Sequence, residues 1–149
     1  MKELLKKLNA CEPAIEWAKN KTWEEIYNTC HRGDWLLWLF KQTNPDDLQR
    51  LTLAKGHCAA TVLHLMKDER SINAVKVAIA FGEGNASKED LNAAAYAAYT
   101  AVYTAAAAAA FAVDVADASA DAKRQNQMET ADICRKYLPI EIWNIGGNK

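Results

Sequence analysis

The stretch from Ser87 to about Arg124 constrains this chain more than any other. Within it Ala93 to Val113 carries no charge, no Gly and no Pro, and most positions are Ala, the strongest helix former. The run predicts one long helix. Its start is marked by Ser87 as N-cap with Asp90 three residues on, a capping box with Asp in place of Glu or Gln. At about 1.5 Å per residue the rod would reach ~55 Å, against a radius of gyration of ~15 Å for a compact chain of this length.

Two faces separate on a helical wheel. Tyr96, Tyr99, Tyr103, Asp114, Asp117 and Asp121 fall in one wedge. Opposite them Leu91, Ala94, Ala98, Ala101, Ala105, Ala108, Ala112 and Val115 alternate by three and four residues, a seam made almost wholly of Ala. Small seam residues let helix backbones approach closely, which suits either homo-oligomerisation or packing against the chain's own N-terminal helices. The uncharged run has the length of a membrane span. Ala, Thr and Tyr are only marginally apolar, however, and three acids follow in the same helix, so no membrane segment is expected.

The rest of the 149 residues reads as short helices. Expected in order are residues 1–9, a helix to Lys19, and one opened by the Thr22–Glu25 capping box. Next come the dense apolar run 35–40 capped by Asp34 and a helix from Asn44–Pro45 to about Met66. A helix ending at Gly82 follows, and after the alanine run a last helix stopped by Pro139. Ile140, Ile142, Trp143 and Ile145 suit a docking strap. No segment alternates as a strand does. The expected fold is all-α, a bundle of short N-terminal helices packed on one long Ala-rich helix. It forms a single domain (1–82 head, 87–124 long helix, 125–149 C-terminal helix and tail).

Charge and cysteine usage narrow the class. The net charge of −1 gives no bulk drive toward nucleic acid or anionic membrane. Cys11, Cys30, Cys58 and Cys134 show no C-x-x-C spacing, and the chain opens on an amphipathic segment, so reduced thiols in the cytoplasm are expected. No nucleophile elbow and no phosphate loop appears, so no catalytic residue and no cofactor is assigned. His57 and His64, seven apart, with His31 would make a weak metal-dependent hydrolase a distant alternative; no metal is assigned. The candidate binding residues are Arg32 and Trp35, Arg70, and the stripe Tyr96, Tyr99 and Tyr103. An ion pair of Arg32 with Glu69 or another acid, and a stripe filling space against the Trp-rich helices, are the structural alternatives.

Several of these segments together resemble a known group. GDWLLWLF (Gly33 to Phe40), Cys58-Ala59-Ala60, the Asp68-Glu69-Arg70 turn, Ala80-Phe81-Gly82-Glu83-Gly84 and the Ala/Tyr run are similar to alanine-rich helical proteins of phages and prophages related to an immunity-protein group. The resemblance spans roughly Trp23 to Pro139. It implies a non-enzymatic protein of the host-cell cytoplasm that neutralises a host-defence or toxin protein. A second function stands beside it: sequestration of a small anionic nucleotide-like signal, with Arg32 and Arg70 on the phosphates and Trp35 or a tyrosine stacked on the base.

Overall fold

Side-chain caps at Thr22, Asp47, Asp68 and Ser87 open helices in the computed structural model. It describes residues 1–109 and 120–145, with side chains omitted at 100–109 and 120–123. Thr22 accepts from the Glu25 amide at 3.2 Å while Glu25 accepts from the Thr22 amide at 2.7 Å, the reciprocal box the sequence predicts. Ser87 and Asp90 repeat it at 3.1 and 2.9 Å. The helices are α1 (Lys2–Lys7), α2 (Glu12–Trp17), α3 (Trp23–Thr29), α4 (Gly33–Thr43), α5 (Leu48–Ala60), α6 (Glu69–Gly82), α7 (Lys88–Ala109) and α8 (Ala120–Tyr137). Short 3-10 turns cover Leu63–Leu65 and Ile140–Ile142. Among the described residues there is no strand, and no helix is long and apolar enough to cross a membrane.

The core lies elsewhere than the alanine run suggests. Its buried residues come from α1 to α5, from α8 and from the tail, and among the described residues none comes from α7. Phe40, Leu138, Ala131 and Cys134 are fully buried where α4 and α8 pack together. The alanine helix lies along α6, and Ala94 is the buried position among its described side chains. Leu91 and Ala98 are half-buried, while Tyr96 and Tyr99 point to solvent. The seam direction read from periodicity therefore agrees as far as residue 99, and the partner is α6, one of the chain's own N-terminal helices. Ala101, Ala105, Ala108, Ala112 and Val115, together with the continuity of a rod from 87 to 124, fall outside the described side chains or on residues 110–119. Helix α8 runs unbroken through 124–125, so residues 120–124 belong with the C-terminal helix.

Three other boundaries differ from the sequence reading, the first two for a tertiary reason. Asn44 does not cap α5. Its side chain is buried and donates to the Ile142 carbonyl at 2.7 Å, holding the tail, and Asp47 caps α5 through the Arg50 amide instead. Helix α5 stops at Ala60, where Thr61 Oγ1 donates to the Cys58 carbonyl and accepts from Asn126 of α8 at 2.7 Å; Leu65 beyond it is exposed. Helix α4 starts at Gly33, which leaves Asp34 in its first turn and not at its cap. The tail docks as a strap: Trp143 is buried among Trp23, Tyr27 and Phe40, and its Nε1 donates to the Leu138 carbonyl at 2.9 Å.

Glycines at the helix crossings let backbones touch. A Cβ on Gly82 of α6 would lie 2.6 Å from the Leu53 Cα of α5, and one on Gly33 would lie 2.6 Å from the Thr130 carbonyl carbon of α8. Gly56 faces Ile79 in the same way, with its Cβ position 2.8 Å from Cγ1, so a glycine that weakens helix α5 is used by the packing. We predict that Gly82→Ala lowers unfolding stability by about 1–3 kcal/mol in urea titration, the range for overpacked sites, although Ala is the better helix former. Stability equal to the parent's would contradict the tight α5–α6 crossing.

Candidate functional site

Helix α4 presents its first turn to α1 and α2, and the sequence there brings charge and aromatic rings together. Arg32 precedes the helix and turns back on it: Nε and Nη2 donate to the two Asp34 carboxylate oxygens at 2.8 and 2.6 Å. Its guanidinium lies over the Trp35 ring, 4.7 Å from the centroid. Trp35 in turn lies 6.0 Å from Trp17 of α2 with the rings tilted, and Lys21 Nζ lies 4.2 Å from the Trp17 ring centroid. The result is a ladder of cation, ring, ring and cation. The Arg32 pair holds the Asp34 carboxyl below the ordinary carboxylate range, against the opposing effect of its partial burial.

Beneath this ladder is a pocket of about 520 Å³. Trp17, Trp35, Trp38, Leu5, Ala14 and Cys30 form much of its wall, and Arg32, Asp34 and Asn9 bring its polar side chains. Burial pushes the Cys30 thiol up, so it stays protonated, and its Sγ lies 3.5 Å from the Arg32 carbonyl. Ligand sites of this size and make-up, mostly apolar with a few convergent polar groups, are typical of small-molecule pockets.

Of the residues chosen from sequence, Arg32 and Trp35 meet at this pocket. The acid that Arg32 pairs with is Asp34, two residues on, and not Glu69. Arg70 lies apart at the start of α6 and is not among the lining residues. Its Nε and Nη2 donate to Asp68 at 3.1 and 2.9 Å, and the pair draws the Asp68 carboxyl down to about 2. Tyr96 and Tyr99 are 72% and 67% exposed on α7, which excludes the alternative that they fill space against the Trp-rich helices. The Tyr103 side chain lies outside the described residues.

The three histidines do not converge. His31 meets the Trp17 edge at 6.1 Å, His57 stacks on Tyr137 with centroids 4.2 Å apart, and His64 sits in the 3-10 turn after α5. Among the described residues no group of three or more His, Cys, Asp or Glu is placed to hold a metal ion. Sequence reasoning missed Trp17, Trp38 and Cys30 as walls. Trp35 and Trp38 share a face by their spacing of three, so Trp38 was within reach; nothing local links Trp17 to them.

The chain matches no family model, no curated protein and no solved structure at a significant level.

The His57–Tyr137 stack gives a pH signature. Burial is the main cause lowering the His57 pKa below 6.5, outweighing the opposing Glu83 charge, while Lys136 adds to the lowering. The neutral ring is therefore the form the fold favours. Its stabilising contribution is complete above the unfolded value of about 6.5 and is lost as pH falls through the lower folded value. We predict a His57 NMR titration midpoint below that of an unstructured peptide, and a Tm that falls less between pH 7.5 and 5.5 in His57→Phe than in the parent. A midpoint at or above the peptide value would contradict this reading.

Proposed function

We propose that this chain is a non-enzymatic binding protein of phage or immunity type, which neutralises a host-defence or toxin protein by occlusion in the host-cell cytoplasm. The observation that carries the reading is the exposure of Tyr96 and Tyr99, one helical turn apart on α7, while the opposite side of that helix is spent on α6. Tyrosine brings large, rigid contact area with few rotatable bonds and a hydroxyl at its tip, and it is enriched at interface hot spots. Exposed rings of this size have no role in holding the fold. Asp114 and Asp117, expected on the same wedge, would add negative charge to that face. The similarity to alanine-rich phage proteins points the same way.

The test is capture from a host lysate by the parent and by the Tyr96→Ala/Tyr99→Ala variant. We expect a protein retained by the parent and lost by the variant, with Tm unchanged within about 2 °C because both rings are solvated. Equal capture by both proteins would overturn the tyrosine face as the binding surface.

The pocket favours a second reading, sequestration of a small nucleotide-like anion. Trp35 would stack on a base and Arg32 would meet the anionic group, exchanging part of its pairing with Asp34. Arg70, away from the pocket, takes no part. A nucleotide present at 100 times its Kd would stabilise the fold by ~2.7 kcal/mol and raise Tm accordingly. We expect that rise, with quenched tryptophan fluorescence, in the parent and neither in Trp35→Ala. No shift with linear or cyclic nucleotides would discard this reading.

A further inference from the structure

The α5–α8 crossing holds a feature that neither binding reading uses. Three side-chain pairs span it: Asn126 with Thr61 at 2.7 Å, Cys58 with Cys134, and His57 stacked on Tyr137. The two sulfurs lie 4.0 Å apart, in contact across the helices although 76 residues apart in sequence. Cys134 is fully buried and also 3.6 Å from the Gly33 carbonyl, while Cys58 is half-buried and 3.6 Å from the Thr130 carbonyl. One thiol is thus partly open to solvent, and the other waits directly behind it. That is the arrangement of an attacking and a resolving cysteine.

We propose that Cys58 and Cys134 form a dithiol that a hydroperoxide oxidises to an intramolecular disulfide, joining α5 to α8. The Cys58 thiolate attacks the peroxide, its O–O bond breaks, a Cys58 sulfenic acid forms, and water leaves with the second oxygen. The Cys134 sulfur then attacks the Cys58 sulfur, the S–O bond breaks, and a second water leaves with the Cys134 proton. Two thiols lose two hydrogens and one hydrogen peroxide becomes two waters, so the step balances.

Position decides the order of the two events. Cys58 is the more accessible, and its contact with the Cys134 sulfur lowers its pKa, whereas that contact and burial raise the pKa of Cys134. Closing the bridge requires the sulfurs to approach to about 2.05 Å, which rotation about the two Cα–Cβ bonds and a small shift of one helix would supply. Among the described residues, neither of the other two thiols has a second cysteine sulfur in contact with which to close a bridge. Cys30 is buried against the Arg32 carbonyl, and Cys11 is exposed ahead of α2.

The test treats the full-length reduced protein with stoichiometric hydrogen peroxide. We expect the intact mass to fall by two hydrogens, a non-reducing digest to contain Cys58 and Cys134 in one linked peptide, and Tm to rise by about 5–10 °C, reversed by dithiothreitol. In C134S the Cys58 sulfenic acid persists and is trapped by dimedone; in C58S the Cys134 thiol stays unmodified. Mapping of the parent protein decides the matter even if a variant fails to fold. A bridge to Cys11 or Cys30, oxygen added with no linked peptide, or no reaction would each overturn the proposal.

Discussion

Arg135 of α8 ties the end of α3 to the approach to α4, and the architecture is arranged round that tie. Its Nε donates to the Tyr27 carbonyl at 2.8 Å, Nη2 donates to the Cys30 carbonyl, and Nη1 meets Asp132 at 2.7 Å. The last carbonyls of a helix have no partner within it, and a guanidinium supplies several charge-assisted donors in one plane. Tyr27 returns the bond: its hydroxyl reaches the Arg135 and Leu138 carbonyls at 3.1 and 3.2 Å. Each helix end thus satisfies the other's free groups. A buried carbonyl left bare costs about 1–3 kcal/mol, so the exchange matters as much as the apolar packing beside it.

With α3 and α8 fixed in this way, the small residues determine how closely the others come. Gly33 lets α4 settle on Thr130, and Gly56 and Gly82 do the same between α5 and α6. Ala54 and Ala131 are fully buried. The same closeness sets Cys58 beside Cys134. It also leaves the alanine helix on α6 at the edge of the core, with Tyr96 and Tyr99 exposed to solvent. On the other side, α1 and α2 cover α4 loosely enough to leave the tryptophan-lined pocket. The ties lie at α3, α4 and α8, and the exposed Tyr96 and Tyr99 lie outside them.

What could be read from the sequence follows the range of each interaction. The Thr22 and Ser87 boxes and the all-helical class depend on neighbours within four residues and are visible in the chain, whereas the exposure of Tyr96 and Tyr99 depends on which side of α7 packs on α6, which the chain alone leaves open. The docking of Trp143 was legible because a tail rich in Ile and Trp has little reason to stay in water. The centre of the core was not. Alanine dominates the composition and drew attention to α7, yet Ala buries little area, and the larger side chains of α4 and α8 outweigh it. Asn44 looked like a cap until its amide was needed by Ile142, a residue 98 positions away. Arg135 carried no local mark of this role, since the two carbonyls it ties lie more than 100 residues upstream. Arg32 and Trp35 were found through their adjacency; the wall that Trp17 adds is a fact of tertiary packing alone.

Native-state hydrogen exchange tests this account most directly, because it orders the helices by the free energy needed to open them. The account predicts the slowest amides in α4 and in the 131–138 part of α8, opening only with global unfolding, and distinctly faster exchange along residues 91–99 of α7. Slowest exchange in the alanine helix, with α8 opening first, would contradict it and return the alanine run to the centre of the fold.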